Sequence, residues 1–592
     1  MSRSARVKVL LVVLVASFVA LTFAFARSEK VRSEPALSPV DEVVLFAVPN
    51  LGIDDVESDV MPVLDRLSRR GAIAATNVRS KGANPDLVDA YATLGAGNRV
   101  AIADLDPPRP AIVEPPDDQG LGSASTTVPI DPATGEPVVP RPIEPTATTV
   151  TAADLGRPAT DSELIVLREM GEIIANADAG NDPGAQPGAL ADALRRAGMR
   201  TALVTNADVL SATVPTAVRA PAGVTAADRY GLIDHGSIAT DLLVPDPSTP
   251  GSVTVDHGRF VEAVVDALDD AELVVVDPGE TIRAATTAAL LGTSPEAEDL
   301  RLAALARTDE VLGALVEDLD PSTLLVVVGV TPPGERWALT PMVMTGGGTP
   351  RGYLHSSSTH RPDLVTLTDL APTILDALGV EAPASMIGNP LAFRPGDADW
   401  AGATALDELL ENRAPIDKPM AVGFIVVQTV VYLIAIATLI IDRPRPPWFD
   451  KALLFVVVTC GAWPLVTFWL RISPSLYSYG AGTFVLCWLI AALVAFGVTR
   501  LRRHVLDPVL ALCALTIATL VIDLATGAHL QYGSFFGYAP TTAPRFIGIG
   551  NAAFALLGGA TVAVCTALVA RSKDRNLALW CGGAVAVVVV VA

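Results

Sequence analysis

The chain has 592 residues, of which 51% are hydrophobic and 18% charged, and its formal net charge is −22. A mean hydropathy of +0.44 excludes an ordinary soluble protein. No Lys/Arg-rich run precedes residue 420, so nucleic acid is not an expected partner.

In chain order, Arg3, Arg6 and Lys8 come before an apolar run over residues 9–26 that ends in Ala24-Phe25-Ala26. Residues 1–26 therefore read as a signal peptide or uncleaved signal anchor, which places the chain from residue 27 onward outside the cytoplasm. From Asp41 onward, apolar runs alternate with helical patterns. Strands are expected at 43–48, 72–78, 201–205, 273–276, 324–328 and 342–344, and helices at 60–70, 190–197, 260–268, 300–319 and 364–378. Alternation at this spacing predicts an α/β domain over residues 27–415, with a doubly wound, mostly parallel sheet covered on both faces. Residues 104–160 break the pattern. With Pro107-Pro108, Pro115-Pro116, Pro140, Pro142 and Pro145 they read as an insertion, disordered or polyproline-like.

The composition changes near Lys418-Pro419. Six apolar runs come after it, at about 420–441, 452–470, 480–499, 508–524, 547–570 and 577–592, each long enough to cross ~30 Å of hydrocarbon. Residues 416–592 are thus expected to form an all-α bundle of about six transmembrane helices. Arg443, Arg445 and Lys451, then Arg500, Arg502 and Arg503, then Arg571, Lys573 and Arg575 sit in alternate loops, while the opposite loops carry Arg471 and Arg545. Lys and Arg mark the cytoplasmic side. The expectation is a multi-pass plasma-membrane protein with the α/β domain and the 525–545 loop outside. All five cysteines (Cys460, Cys487, Cys513, Cys565 and Cys581) lie in this block, so the α/β domain uses neither disulfides nor thiolate metal ligands.

Three stretches of the exported part carry a further signal. The segment 43–52 leads through Met61-Pro62-Val63-Leu64-Asp65-Arg66-Leu67 to Gly71-Ala72; Asp277 directly follows the run 273–276; and Thr368-Asp369-Leu370-Ala371-Pro372-Thr373-Ile374-Leu375 closes the set. In this order and spacing they resemble the alkaline phosphatase superfamily, which includes sulfatases, phosphodiesterases and lipid phosphoethanolamine transferases. Two further segments, residues 92–99 (Ala-Thr-Leu-Gly-Ala-Gly-Asn-Arg) and Arg545-Phe546-Ile547-Gly548-Ile549-Gly550-Asn551, resemble a group of actinobacterial membrane proteins of that superfamily. The resemblance implies two metal ions, usually zinc, held by Asp and His at strand ends, with a Thr or Ser attacking phosphorus between them. The sequence departs from that pattern. Asn50 stands where the first Asp is implied, Gly329-Val330-Thr331-Pro332 replaces the Asp-His pair, and Thr281 replaces a His.

Asp277, His355 and His360 remain as candidate binding residues, and Thr93 as the candidate nucleophile. One Asp and one His do not make a two-metal site, so no metal is assigned; zinc or another divalent cation is the alternative. Each residue also has a plain structural reading. Asp369 caps a helix, Asp277 forms a turn, the histidines sit in a solvated loop, and Thr93 is an ordinary helix residue. Arg545 and Asn551 fall at membrane depth, where polar groups are costly and mark function; anchoring is the plain reading for Arg545. The expected function is binding or processing of a phosphorylated or lipid-linked envelope component, with membrane lipids or a lipid-linked precursor as partner. The alternatives are an active metal-dependent phosphoryl or sulfuryl hydrolase or transferase, and a transporter with an accessory exported domain.

Overall fold

A computed structural model describes residues 38–102, 147–150, 164–179, 184–209, 220–291, 295–572 and 581–583, apart from 83, 362, 442–444, 503, 542–544 and 547 within those ranges. The signal segment 1–26 and most of the expected sixth membrane run, 577–592, lie outside the described residues. The chain divides into two compact units. Pro35–Ser358 with Pro362–Trp400 form one, and Ala401–Ala592 belongs to the other, together with Met1–Glu34 and Thr359–Arg361.

The first unit is built on a ten-stranded sheet. Its order is Ala392–Pro395, Gly352–His355, Ala72–Asn77, Leu339–Thr345, Leu324–Gly329, Val43–Val48, Leu273–Asp277, Thr201–Thr205 and His235–Ser237, with Leu364–Thr366 also paired to Ala72–Asn77. Val43–Val48 pairs in parallel with Leu324–Gly329 on one side and Leu273–Asp277 on the other. Leu339–Thr345 runs antiparallel to both neighbours. The result is a mostly parallel sheet. Its central strands are apolar on both faces because both are covered; all six residues of Val43–Val48 are fully buried. The C-terminal ends of most strands therefore share one edge, which is where open α/β sheets place their sites.

Local chemistry fixes the surrounding helices. His257–Leu268 begins at Asp256, whose side chain accepts from Arg259 N, and buries Phe260, Val261, Val264 and Ala267 as one stripe. Pro62–Ser68 borrows its cap. Asp309, from the middle of Pro295–Asp318, accepts from Val63 N and Leu64 N at 2.8 and 2.9 Å.

Two expectations need correction. Residues 364–378 are not one helix: Leu364–Thr366 is a strand, a 3-10 turn comes next, and the α-helix is Leu370–Ala377. Thr366 and Asp369 form a capping box that starts the helical turn only after the strand has ended. The stretch 104–160 is not wholly polyproline-like or disordered either, since Ala147–Val150 pairs antiparallel with Leu164–Leu167. No proline lies between Pro145 and residue 150, and Thr148-Thr149-Val150 favours a strand. The rest of 104–160 lies outside the described residues.

Among the described residues the second unit contains five helices long and apolar enough to cross a membrane: Ala401–Ile440, Trp448–Ile472, Ala481–Arg500, Asp507–Ala525 and Asn551–Arg571. The first spans 40 residues and runs unbroken through Pro415 and Pro419, so the helical unit starts at Ala401 rather than at 416. Cys487, Ala491 and Ala495 are fully buried on Ala481–Arg500, where small side chains let helices approach closely. Phe424, Trp463, Phe484, Trp488 and Phe536 pack as one aromatic cluster, with the Phe424 and Trp463 rings stacked at 4.4 Å.

Candidate functional site

At the strand-end edge, the loops that the resemblance would use for metal close on each other. Asn50 has a left-handed backbone (φ 56°), and its N–H donates to Thr331 Oγ1 at 3.0 Å, while Leu51 N donates to Thr331 O at 3.2 Å. Arg301 donates to Asn50 O at 3.1 Å and grips Asp55 through both terminal nitrogens at 2.8 and 3.0 Å. Asn50 and Thr331 thus stand at two of the positions where the resemblance implies metal ligands, and the Asn50 backbone and the Thr331 hydroxyl are engaged in holding the loops together. No group of three His, Cys, Asp or Glu able to hold a metal occurs among the described residues.

Asp277 ends its strand and is buried. Its oxygens accept from Tyr91 Oη at 2.6 Å and Gly279 N at 2.8 Å. Burial pushes its carboxyl up to about 6, against the lowering pull of those two bonds and the nearby Arg283. Thr93 does not lie near the start of its helix. Leu87–Ala96 begins at the Asp86 cap, and Thr93 is fully buried in its second half, with Oγ1 accepting from Val100 N at 3.1 Å. It caps the chain leaving the helix. His355 is half-buried at the end of its strand opposite Ala392, and His360 is exposed with φ 49°. Asp369 accepts from Ser356 Oγ, Thr366 N, Thr366 Oγ1, Ser358 Oγ and Asn389 N, so its role is to tie loops together.

The structure instead brings together two arginines that were not among the candidate site residues, Arg99 at the end of the 92–99 segment and Arg79 in no quoted motif. Arg79 follows the end of strand Ala72–Asn77, and its N–H donates to Asn77 Oδ1 at 2.9 Å. Arg99 follows Gly97, whose left-handed φ of 54° ends the helix; a Cβ there would meet Met386 Cγ at 2.7 Å. The two segments are joined by Lys81 N donating to Val100 O at 3.2 Å. The next turn is held by Asn98 Nδ2 on Ser385 O at 2.9 Å. The Arg79 guanidinium lies 5.2 Å from the centre of the Trp337 ring. Both arginines are half-buried. The Arg99 guanidinium has no hydrogen bond or ion pair among the described residues. Burial and the like charge of Arg79 push it down to about 10, with Asp369 opposing. The five donors already on Asp369 leave it little capacity to pair with Arg99. Two guanidinium groups thus act on each other at this corner, and the planar donors of Arg99 have the geometry that an oxyanion accepts from.

In the helical unit, Asp523 accepts from Leu530 N, Gln531 N and Gln531 Nε2, and Gln531 Oε1 accepts from Gly550 N at 3.1 Å. These bonds hold the segment between the last two described membrane helices. Arg545 and Asn551 are brought together: Arg545 Nη1 donates to Ile549 O and to Asn551 Oδ1, the latter at 3.2 Å. Both residues are exposed. One edge of the Arg545 guanidinium thus shapes the start of Asn551–Ser572.

No protein-family model matches this sequence, and no curated protein matches it. Several solved structures are similar to it, among them members of the alkaline phosphatase superfamily. A superfamily protein from Vibrio parahaemolyticus is 14% identical, with a TM-score of 0.32, and covers 62% of this chain and 77% of its own. The lipoteichoic acid synthase LtaP from Listeria monocytogenes is 9% identical, with a TM-score of 0.34 and coverage of 62% and 80%. The Streptococcus pyogenes phosphoglycerol transferase GacH, solved with sn-glycerol-1-phosphate, is 10% identical, with a TM-score of 0.29 and coverage of 63% and 83%. At such identities the likeness concerns the course of the chain and not its chemistry.

Proposed function

We propose that this is a multi-pass membrane protein whose extracytoplasmic α/β domain binds a phosphorylated or lipid-linked component of the cell envelope without a metal pair. The observation that carries the reading is the half-buried Arg79–Arg99 pair at the strand-end edge, with the Arg99 guanidinium unengaged among the described residues. Partial burial beside a like charge makes the Arg99 guanidinium costly to keep charged, and an anion bound there would offset that cost. A phosphate accepts bidentate bonds from guanidinium and supplies that charge. The closed Asn50–Thr331 loops support binding over metal-dependent turnover. The extracytoplasmic placement rests on the alternation of Lys and Arg among the membrane loops.

The test is isothermal titration of the full-length protein in maltoside detergent with glycerol phosphate. Saturable binding is expected, weakened about 10- to 100-fold in Arg99→Gln and in Arg79→Gln, since a charged hydrogen bond contributes about 1.5–3 kcal/mol. Unchanged binding in both variants overturns the assignment. Ester hydrolysis that is lost on chelation would favour a metal-dependent hydrolase or transferase instead.

A further inference from the structure

A second cluster lies wholly within the helical unit. Helix Ala401–Ile440 extends well ahead of the apolar run that begins near residue 420, and Arg413 and Asp417 sit just before that run. Arg471 lies in the last turn of the next long helix, Trp448–Ile472, and Tyr477 lies in the short 3-10 segment Pro474–Tyr479 before Ala481–Arg500. These positions belong to the same end of the bundle, because successive helices reverse direction.

The segment after Asp507–Ala525 packs these residues together. The Phe535 ring lies 5.7 Å from the Arg413 guanidinium and 5.2 Å from the Tyr477 ring. Arg471 Nε donates to Tyr532 O at 2.9 Å. Gly533, with φ 79°, fits between the Leu409 side chain and Arg471, and a Cβ there would meet Leu409 Cδ2 at 2.7 Å. Arg413 is 6% exposed; its Nε donates to Asp417 at 2.7 Å, but its buried Nη1 has no hydrogen-bond partner among the described residues. The Tyr477 hydroxyl is fully buried and also has none. Burial raises the Tyr477 hydroxyl well above its ordinary value, Arg413 and Arg471 both pull it down and Asp417 adds to the rise, so two cations and one acid act on the same spot. Apart from the bond to Tyr532, the Arg471 guanidinium has no partner among the described residues. Two guanidinium groups thus act on one spot where Asp417 is hydrogen-bonded to Arg413 alone, with orphaned donors from Arg413 and Tyr477 buried beside them. Buried donors left unmade are costly, and charged groups at the edge of a membrane span mark function.

We propose that Arg413, Arg471 and Tyr477 form a phosphate-binding site at one end of the membrane helices, separate from the Arg79–Arg99 pair. Its level, immediately beyond the apolar spans, is where lipid phosphates lie. The phosphate could come from a lipid headgroup or from free phosphate, and the same donors would take either.

The test uses the full-length protein in maltoside detergent, which contains no phosphate, and reads the Tm shift on adding short-chain phosphatidic acid, diacylglycerol of matching chain length, or inorganic phosphate. Phosphatidic acid should raise Tm by about 2–5 °C at concentrations well above Kd, and diacylglycerol should not. An equal shift with inorganic phosphate would support the site with a free anion as ligand. Arg471→Gln should abolish the shift. Arg471→Lys, which keeps the charge and loses the fork, should reduce it and shows that loss is not simply misfolding. Arg99→Gln should leave the shift intact. No shift with either phosphate source, or a full shift in Arg471→Gln, overturns the site. A shift lost in Arg99→Gln but kept in Arg471→Gln also overturns it, and places the phosphate in the α/β domain instead.

Discussion

Replacing Asp277 with Asn should make the α/β domain more stable at neutral pH, by an amount that depends on pH in a defined way. The carboxyl is buried and its folded-state value is pushed up to about 6, against an ordinary 3.8. An acid with a raised value favours folding while it is protonated. That contribution is fully present below about pH 4 and is lost as the pH rises through about 6. A difference of about two pH units corresponds to about 3 kcal/mol. Asn is neutral at every pH and nearly the same shape. Its oxygen can keep the bond from Gly279 N, and its amide can donate to the Tyr91 hydroxyl. The Tm of the domain, followed in the full-length protein for wild type and Asp277→Asn, should therefore be similar near pH 4. The variant should gain by about 5 °C by pH 7. A difference that stays constant across pH 4–7 would refute the claim that Asp277 titrates near 6.

Three further outcomes rest on the geometry and the loop charges. Thr93→Val should cost about 1 kcal/mol, the bond from Val100 N, and leave glycerol phosphate binding unchanged; lost binding at normal Tm would restore Thr93 as a functional residue. Cysteine at His529, an exposed position of the outer loop, should be labelled in intact cells by an impermeant thiol reagent, and cysteine at Arg443 should not; the opposite pattern would invert the topology. Arg545 Nη1 alone donates to Ile549 O and Asn551 Oδ1, so if the guanidinium also grips a phosphate, Arg545→Lys, which loses the planar donor pair, should impair complementation of a deletion strain at normal protein level. Full activity of the lysine variant would make Arg545 an interfacial anchor.

The sheet was legible because its central strands are short apolar runs such as Val43–Val48, and burial on both faces leaves little room for other residues. The membrane helices were legible for a related reason: hydrocarbon accepts few alternatives to long apolar runs. Strand Leu364–Thr366 was missed because its three residues run directly into a helix and share one apolar pattern with it. Strands Gly352–His355 and Ala392–Pro395, at one end of the sheet, are short and half-polar, and gave no periodic signal. The site was least legible. Arg79 and Arg99 lie twenty residues apart on either side of a helix, and only the return of the chain after Gly97 brings their segments together. Arg413, Arg471 and Tyr477 come from three separate segments, and nothing local marks them as neighbours. Thr93 stood out by family likeness, yet its hydroxyl is spent on a backbone amide.

The most direct test of metal-free phosphate binding by the α/β domain is equilibrium binding of glycerol phosphate to the full-length protein in the presence of EDTA, with zinc measured in the same sample. The account predicts binding that persists in EDTA, well under one equivalent of zinc per chain, and loss of binding in Arg99→Gln. Stoichiometric zinc, with binding abolished by EDTA, restored by added zinc and unaffected by Arg99→Gln, would contradict it.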